Sequence, residues 1–391
     1  MDNRDQDTRL AVGVMTGTSI DGIDAALVRV EGRARGIRVT LLRHLSESLG
    51  DMQPRLRAAA EQRPMTAGEF ARLAWDFGEL HVATIVRLVE SAIPNLICVH
   101  GQTVFHQPPV SLQLINPAPI AARFDCPIVS DLRQADLAHG GQGAPITPLA
   151  DWILFRDREN PTSRAIVNLG GFCNVTILPR SCAGTTPSPP AGGNPPNAAA
   201  LDEDVRGIRG FDVCACNQLL DAIARDTLGV PFDEDGAAAL RGRANPQATE
   251  ALCAILEQQR QSAAQRRSLG TGDEALAWLR DNRSTLAPND LAASSVQAIA
   301  LTIRASLMSH SIDQVVLAGG GARNLALRVA LQMQAAVLDT SSFGIPIDAR
   351  EAACFAILGA LCQDGVPISL PAVTGCREPA PPSGTWAGVR P

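Results

Sequence analysis

Nine consecutive positions, Thr16-Gly17-Thr18-Ser19-Ile20-Asp21-Gly22-Ile23-Asp24, carry glycines, hydroxyls and carboxylates in one short stretch. Glycine lets the backbone approach a ligand closely, hydroxyls and amides donate to phosphate oxygens, and Asp21 with Asp24 could hold a hydrated magnesium ion. An ordinary hairpin whose Thr, Ser and Asp cap their own backbone would use the same letters. Gly170-Gly171 forms a second small-residue turn, either a plain turn or a backbone surface for phosphate. A third run, Gly319-Gly320-Gly321-Ala322-Arg323-Asn324, lies between an apolar run and a helical one. It suits either a ligand at a helix start or a tight strand-to-helix turn, and its spacing is not the dinucleotide fingerprint.

Two polar clusters follow apolar runs in the first half. His100-Gly101-Gln102-Thr103 comes after Leu96-Ile97-Cys98-Val99, and Asp131-Leu132-Arg133-Gln134-Ala135-Asp136 after Pro127-Ile128-Val129-Ser130. Ligands of α/β sheets bind at the carboxyl ends of strands, and Asp, Arg, Gln and His hold hydroxyls or carboxylates with directed hydrogen bonds. A solvated loop with an Asp/Arg pair is the alternative. Asp212 precedes an apparent helix and reads as a cap, while Asp348 and Glu351 have the spacing of a capping box.

Composition narrows the chemistry. All 34 basic residues are Arg, so there is no lysine to serve a Walker loop, a kinase β3 position or a Schiff base. Phosphate chemistry must rest on backbone amides, Arg and a metal. A net charge of −6 without long like-charge runs argues against a nucleic-acid surface. The polar start and the absence of a long apolar run point to a cytoplasmic protein. Ten scattered Cys suit reduced core thiols.

These residues need elements to position them. Leu10–Met15 and Ile23–Val30 flank the first turn, and Ala165–Leu169 and Asn174–Leu178 flank the second, as two hairpins roughly 150 residues apart. Helical runs over Thr66–Ile93 and Leu291–Met308 alternate with short strand-like runs, which makes the chain α/β and suggests a duplicated domain. The Pro- and Gly-rich segment 179–204 reads as a mobile insertion, and the stretch after Cys376 as a flexible tail.

In this order, the first turn, His100-Gly101-Gln102-Thr103, Asp131 through Pro145, Asn168-Leu169-Gly170-Gly171, Gly210-Phe211-Asp212, the Gly319 run and Glu351-Ala352 resemble the anhydro-N-acetylmuramic acid kinases, from about residue 11 to 375. The resemblance implies two duplicated actin/Hsp70/sugar-kinase-like (RNase H-like) domains around a nucleotide cleft. These would be 1–160, with 352–375 packing back on it, and 161–351, followed by a tail at 376–391. It implies that ATP with Mg2+ phosphorylates 1,6-anhydro-N-acetylmuramic acid while water opens the anhydro ring, in peptidoglycan recycling.

Carried over by position, Gly17, Thr18, Ser19, Ile20, Asp21, Gly22, Ile23 and Asp24 would hold phosphates, with Asp21 and Asp24 on the metal. Gly170, Gly171, Gly319, Gly320, Gly321 and Asn324 would line the nucleotide, and Asp212 would be the base for water. His100, Gln102, Asp131, Arg133, Asp136 and Glu351 would contact the sugar. The expected partner is a small anhydrosugar, with no nucleic acid, no membrane and room for a homodimer.

Relatives usually continue Thr-Gly-Pro-Gly-Asn after the Gly-Phe-Asp step, where this chain has Val213-Cys214-Ala215-Cys216-Asn217, and often have Gly-Asp where it has Ile115-Asn116. Their Lys-Ser-Thr-Gly-Arg-Glu element is matched only loosely by Arg267 to Glu274. A same-fold kinase for another sugar and an actin-like nucleotide-binding regulator are the alternative readings.

Overall fold

In the computed structural model, residues 7–180, 203–266 and 273–388 are described. The strands are β1 (Thr8–Met15), β2 (Gly22–Glu31), β3 (Arg38–Ser48), β4 (Leu96–Val99), β5 (Gln102–Gln107), β6 (Val110–Leu114), β7 (Ile128–Ser130), β8 (Arg164–Leu169), β9 (Phe172–Leu178), β10 (Arg209–Ala215), β11 (Gln314–Ala318), β12 (Ala336–Asp339) and β13 (Thr385–Ala387). The chain divides into two compact units, and their described residues are 7–156, 203–208 and 344–388 in the first and 157–180, 209–266 and 273–343 in the second.

The first unit holds a six-stranded sheet in the order β13-β7-β4-β1-β2-β3. β1 pairs antiparallel with β2, β2 antiparallel with β3, and β1, β4 and β7 run parallel. The run from Ala11 to Met15 is buried throughout because it is a central strand covered on both faces. One cover is the helix Ala67–Val89, which begins at Thr66 with a capping box closed by Glu69. The other is the helix Arg350–Gln363, which is almost wholly buried. Gly359 of that helix has no space for a side chain, since a Cβ there would lie 2.7 Å from Cys98 Cβ.

The second unit holds a five-stranded sheet in the order β10-β9-β8-β11-β12. β8/β9 and β9/β10 are antiparallel, and β8/β11 and β11/β12 are parallel. This repeats the β3-β2-β1-β4-β7 order of the first unit strand for strand, so the expected duplication of an RNase H-like α/β domain is present. The helix Pro288–Leu307, opened by Pro at its first turn, buries most of its side chains in this unit.

Residues 376–391 were expected as a flexible tail, but β13 lies there and pairs Trp386 with Val129 of β7. A three-residue strand is too short to show a period. Residues 181–202 of the expected insertion, and Arg267 to Gly272, lie outside the described residues. Among the described residues no helix is long and apolar enough to cross a membrane, and the nine described cysteines are free thiols.

Candidate active site

In the first unit the candidate residues gather at the carboxyl ends of β1, β4 and β7. The turn after β1 is closed by Ile20 N donating to Gly17 O at 3.1 Å. Ile20 has φ 53°, a left-handed conformation that is strained for a β-branched residue. The turn is braced from the helix Met52–Ala60, where Gln53 Nε2 donates to Ile20 O at 2.8 Å and Arg57 Nη2 to Ser19 O at 3.2 Å. Ile23 and the Ile20 side chain are buried, leaving Thr18, Ser19 and Asp21 exposed on the turn. Gly22 sits under β3, where a Cβ would stand 3.0 Å from Glu47 O.

Asp24 pairs across the sheet with Met15 and Ser46, and its carboxylate accepts the Ser46 hydroxyl at 2.5 Å. Burial pushes its pKa up to about 6; the Ser46 hydrogen bond opposes this, and the nearby charges of Glu351, Asp348 and Asp21 add to it. The tertiary structure thus brings four carboxylates into electrostatic range of one another. No set of three or more His, Cys, Asp or Glu among the described residues is arranged to hold a metal alone. Magnesium commonly keeps water and phosphate oxygens with only one or two carboxylates, so Asp24 and Asp21 fit it in that form.

His100 follows β4, its backbone N–H bound to Val14 O at 2.9 Å, and its ring stacks on Phe355 with centroids 4.4 Å apart. Burial, then the Arg133 charge and His106, hold its pKa well below the usual value, so the ring is neutral. A guanidinium only donates, so His100 Nε2 accepts from Arg133 Nη2 at 3.1 Å and the ring proton sits on Nδ1. That buried Nδ1, Gln102 Oε1 and Thr16 Oγ1 have no partner among the described residues. All three follow neighbouring strands β1 and β4. Buried polar atoms left without a bond cost about 1–3 kcal/mol each, so this end of the sheet is built for a polar ligand or water.

Arg133 also donates to Gly143 O at 2.5 Å. Asp131, at φ 56°, accepts from Gln134 Nε2 at 3.2 Å, and burial raises its pKa against the effects of Gln134 and Arg133. Asp136 turns inward instead. Its carboxylate accepts Gly143 N and the Thr374 hydroxyl, each at 2.6 Å, so it shapes the loop that carries Arg133's acceptor. Glu351 is not in a capping box: the helix begins at Arg350, and its cap Ala349 offers no side-chain bond.

In the second unit, Asp212 stands inside β10 opposite Asn174 of β9, at a bulge between Asp212 and Cys214. It is therefore no helix cap; the helix Asn217–Ile223 starts after Cys216. A bulge re-aims side chains and is common beside active sites. Cys216 N and Asn217 N donate to Gly171 O and Gly170 O at 2.9 and 3.0 Å, and Asn217 Nδ2 to Leu169 O at 3.0 Å. Gly319 and Gly321 pack on the same strand end. A Cβ on either would lie 2.7 Å from Asn168 Oδ1 or Asn217 Oδ1 respectively, whereas Gly320 faces more open space. Asn324 caps the helix Leu325–Ala330 by accepting Leu327 N at 2.9 Å.

In the sequence Asn168 and Asn217 stand only as members of longer segments, with no role of their own; the structure sets Asn168 against Gly319 and Asn217 against Gly321 and the Leu169 carbonyl. Only hydrogen bonds and close approaches across distant positions reveal them. Thr16 and Gln102 show their importance as buried atoms without partners, a property no local pattern carries.

The sequence model of the family "Anhydro-N-acetylmuramic acid kinase" matches residues 9–187 and 196–382. Curated relatives with that name include one from Salinibacter ruber, 32% identical over 95% of this chain and 95% of its own. Others come from Gloeobacter violaceus, at 34% over 96% and 98%, and Chromohalobacter salexigens, at 35% over 97% and 100%. Among solved structures, component A of the Acidaminococcus fermentans (R)-2-hydroxyglutaryl-CoA dehydratase aligns with a TM-score of 0.45 at 12% identity, covering 90% of this chain and 98% of that one. With a family match that spans both glycine turns, Asp212 and Glu351, this chain belongs to the anhydro-N-acetylmuramic acid kinase family.

Proposed function

We propose that this protein is an ATP-dependent kinase that converts 1,6-anhydro-N-acetylmuramic acid to N-acetylmuramic acid 6-phosphate, opening the anhydro ring with water, in cytoplasmic peptidoglycan recycling. The observation that carries the reading, within the family, is the set of buried polar atoms without partners at the ends of β1 and β4. His100 Nδ1–H, Gln102 Oε1 and the Thr16 hydroxyl offer a donor, an acceptor and a group that is both, which suits a hydroxyl-rich acceptor.

In this reading Asp212 accepts a proton from water as its oxygen bonds to the anomeric carbon. The bond from that carbon to the bridging oxygen breaks, and the freed 6-oxygen takes the γ-phosphoryl group as its bond to the β-phosphate oxygen breaks, with ADP the leaving group. His100, Gln102, Asp131, Arg133 and Glu351 orient the sugar, while Asp136 keeps the Arg133 loop in shape. Bound ATP with magnesium supplies the phosphoryl group and neutralises its charge. The backbone of Gly17 to Gly22 would cradle its phosphates, Asp24 and Asp21 would hold the metal, and the Gly170 and Gly319 turns would offer close backbone surfaces. Phosphoryl transfer depends on positioning and charge more than on covalent help, so a chain without lysine can perform it.

Mass spectrometry of the purified protein with magnesium ATP and the anhydrosugar tests the reading. A product heavier by one phosphoryl group and one water supports it. Phosphorylation of another sugar alone would move the chain to a different acceptor, and no product from any sugar would favour a regulatory role.

A further inference from the structure

Arg350 opens the helix Arg350–Gln363, and its guanidinium is 1% exposed. Nε donates to Asp151 Oδ1 at 2.9 Å and Nη2 to Asp151 Oδ2, while Nη2 also reaches Thr147 Oγ1 at 3.3 Å. Asp151 lies in the helix Pro148–Phe155 of the same unit and is itself fully buried. The third nitrogen, Nη1, is buried without a hydrogen-bond partner and stands 3.9 Å from Glu351 Oε1.

Removing two charges from water is expensive, and apolar residues of similar volume often stabilise a fold as well or better. Packing alone does not call for this pair. What an apolar pair cannot provide is a fixed positive charge beside Glu351. That carboxylate shares its surroundings with Asp24, which is also influenced by Asp348 and Asp21, and like charges push one another toward solvent. A cation that cannot move, because Asp151 and Thr147 hold its other two nitrogens, counters that push on one side only.

We infer that Arg350, clamped by Asp151, is a positioning residue that holds the Glu351 carboxylate in place for contact with the acceptor sugar. The inference rests on the proposed kinase activity. Arg350 touches no reacting atom; its effect passes through Glu351.

The test compares full-length wild type, the double variant Arg350→Met/Asp151→Leu, Glu351→Gln, Arg350→Lys, and Glu351→Gln combined with each Arg350 change. The double variant removes both buried charges, so neither is left unpaired, and its melting temperature should stay within a few degrees of wild type. Its KM for ATP should change less than about twofold, while kcat/KM for 1,6-anhydro-N-acetylmuramic acid falls at least about tenfold. Adding Glu351→Gln should then cost little more, because both changes remove one function. Arg350→Lys keeps the charge and should retain most of the sugar kcat/KM.

Losses that multiply, or a folded double variant with wild-type sugar kinetics, would overturn the inference. If that double variant does not fold, Arg350→Gln/Asp151→Asn, which removes both charges but keeps polar groups in place, is measured with and without Glu351→Gln: a loss of sugar kcat/KM that vanishes without the Glu351 carboxylate supports the inference, and no loss, or one that persists in full, overturns it. Wild-type protein that makes no phosphorylated anhydrosugar sinks the activity and the inference together. Wild-type turnover with multiplying losses sinks only the role of Arg350.

Discussion

Gly13 of β1 lies directly against Ala352 of the helix Arg350–Gln363: a Cβ on Gly13 would be 1.9 Å from Ala352 O and 2.4 Å from Ala356 N. The strand before the candidate phosphate turn and the helix that carries Glu351 are thus joined through backbone atoms that cannot move aside as a flexible side chain would.

Gly13→Ala should therefore displace that helix and lower stability by about 1–3 kcal/mol, the usual range for overpacking a dense core. Activity should fall further than stability, since Glu351 shifts with the helix. Thermal melts and steady-state kinetics on one preparation check both, and a variant unchanged in each would refute the close contact.

Asp212→Asn should reduce turnover by about 10²–10⁴, the range general-base removal produces, while nucleotide binding stays within about twofold. The change keeps the size of a side chain in β10 and removes its ability to accept a proton. Calorimetric ATP titration beside a turnover assay separates the two effects; a near-normal rate would take Asp212 out of the role.

Asp24→Asn should abolish activity yet stabilise the protein. Its pKa is raised to about 6 by burial and by neighbouring carboxylates, so at pH 7.5 the folded state carries a charge it would rather not hold. Removing that charge should add about 1–3 kcal/mol. The sign also predicts that magnesium raises the melting temperature of wild type more than that of the variant. A destabilised variant would contradict the assignment.

His81 sets an acid limit. It is fully buried against Phe77, with Nδ1 2.8 Å from Phe77 O. Burial pushes its pKa down from 6.5 to about 4, and the Phe77 carbonyl only partly opposes this. Above pH 6.5 the ring is neutral folded or unfolded, so nothing is gained or lost. Below it the unfolded chain takes a proton that the folded chain refuses, and stability falls progressively between about pH 6.5 and 4, by up to about 3 kcal/mol. His81→Leu should flatten that part of a melting-temperature profile, and an unaltered slope would assign the acid sensitivity to other groups.

The amino-acid sequence by itself determined the hairpins, the α/β class, the repeated grammar of the two halves and the need for Arg and backbone groups in place of lysine. Apolar periodicity and glycine turns act over a few neighbouring residues, so they can be read along the chain. What each polar residue does with its side chain was decided only by tertiary structure. Asp136 bonds to Thr374 across 238 positions and Arg350 to Asp151 across 199, while Asp212, which reads as a cap, sits at a strand bulge. A carboxylate's role depends on which donors and charges burial places beside it, and those partners come from segments that no local pattern links.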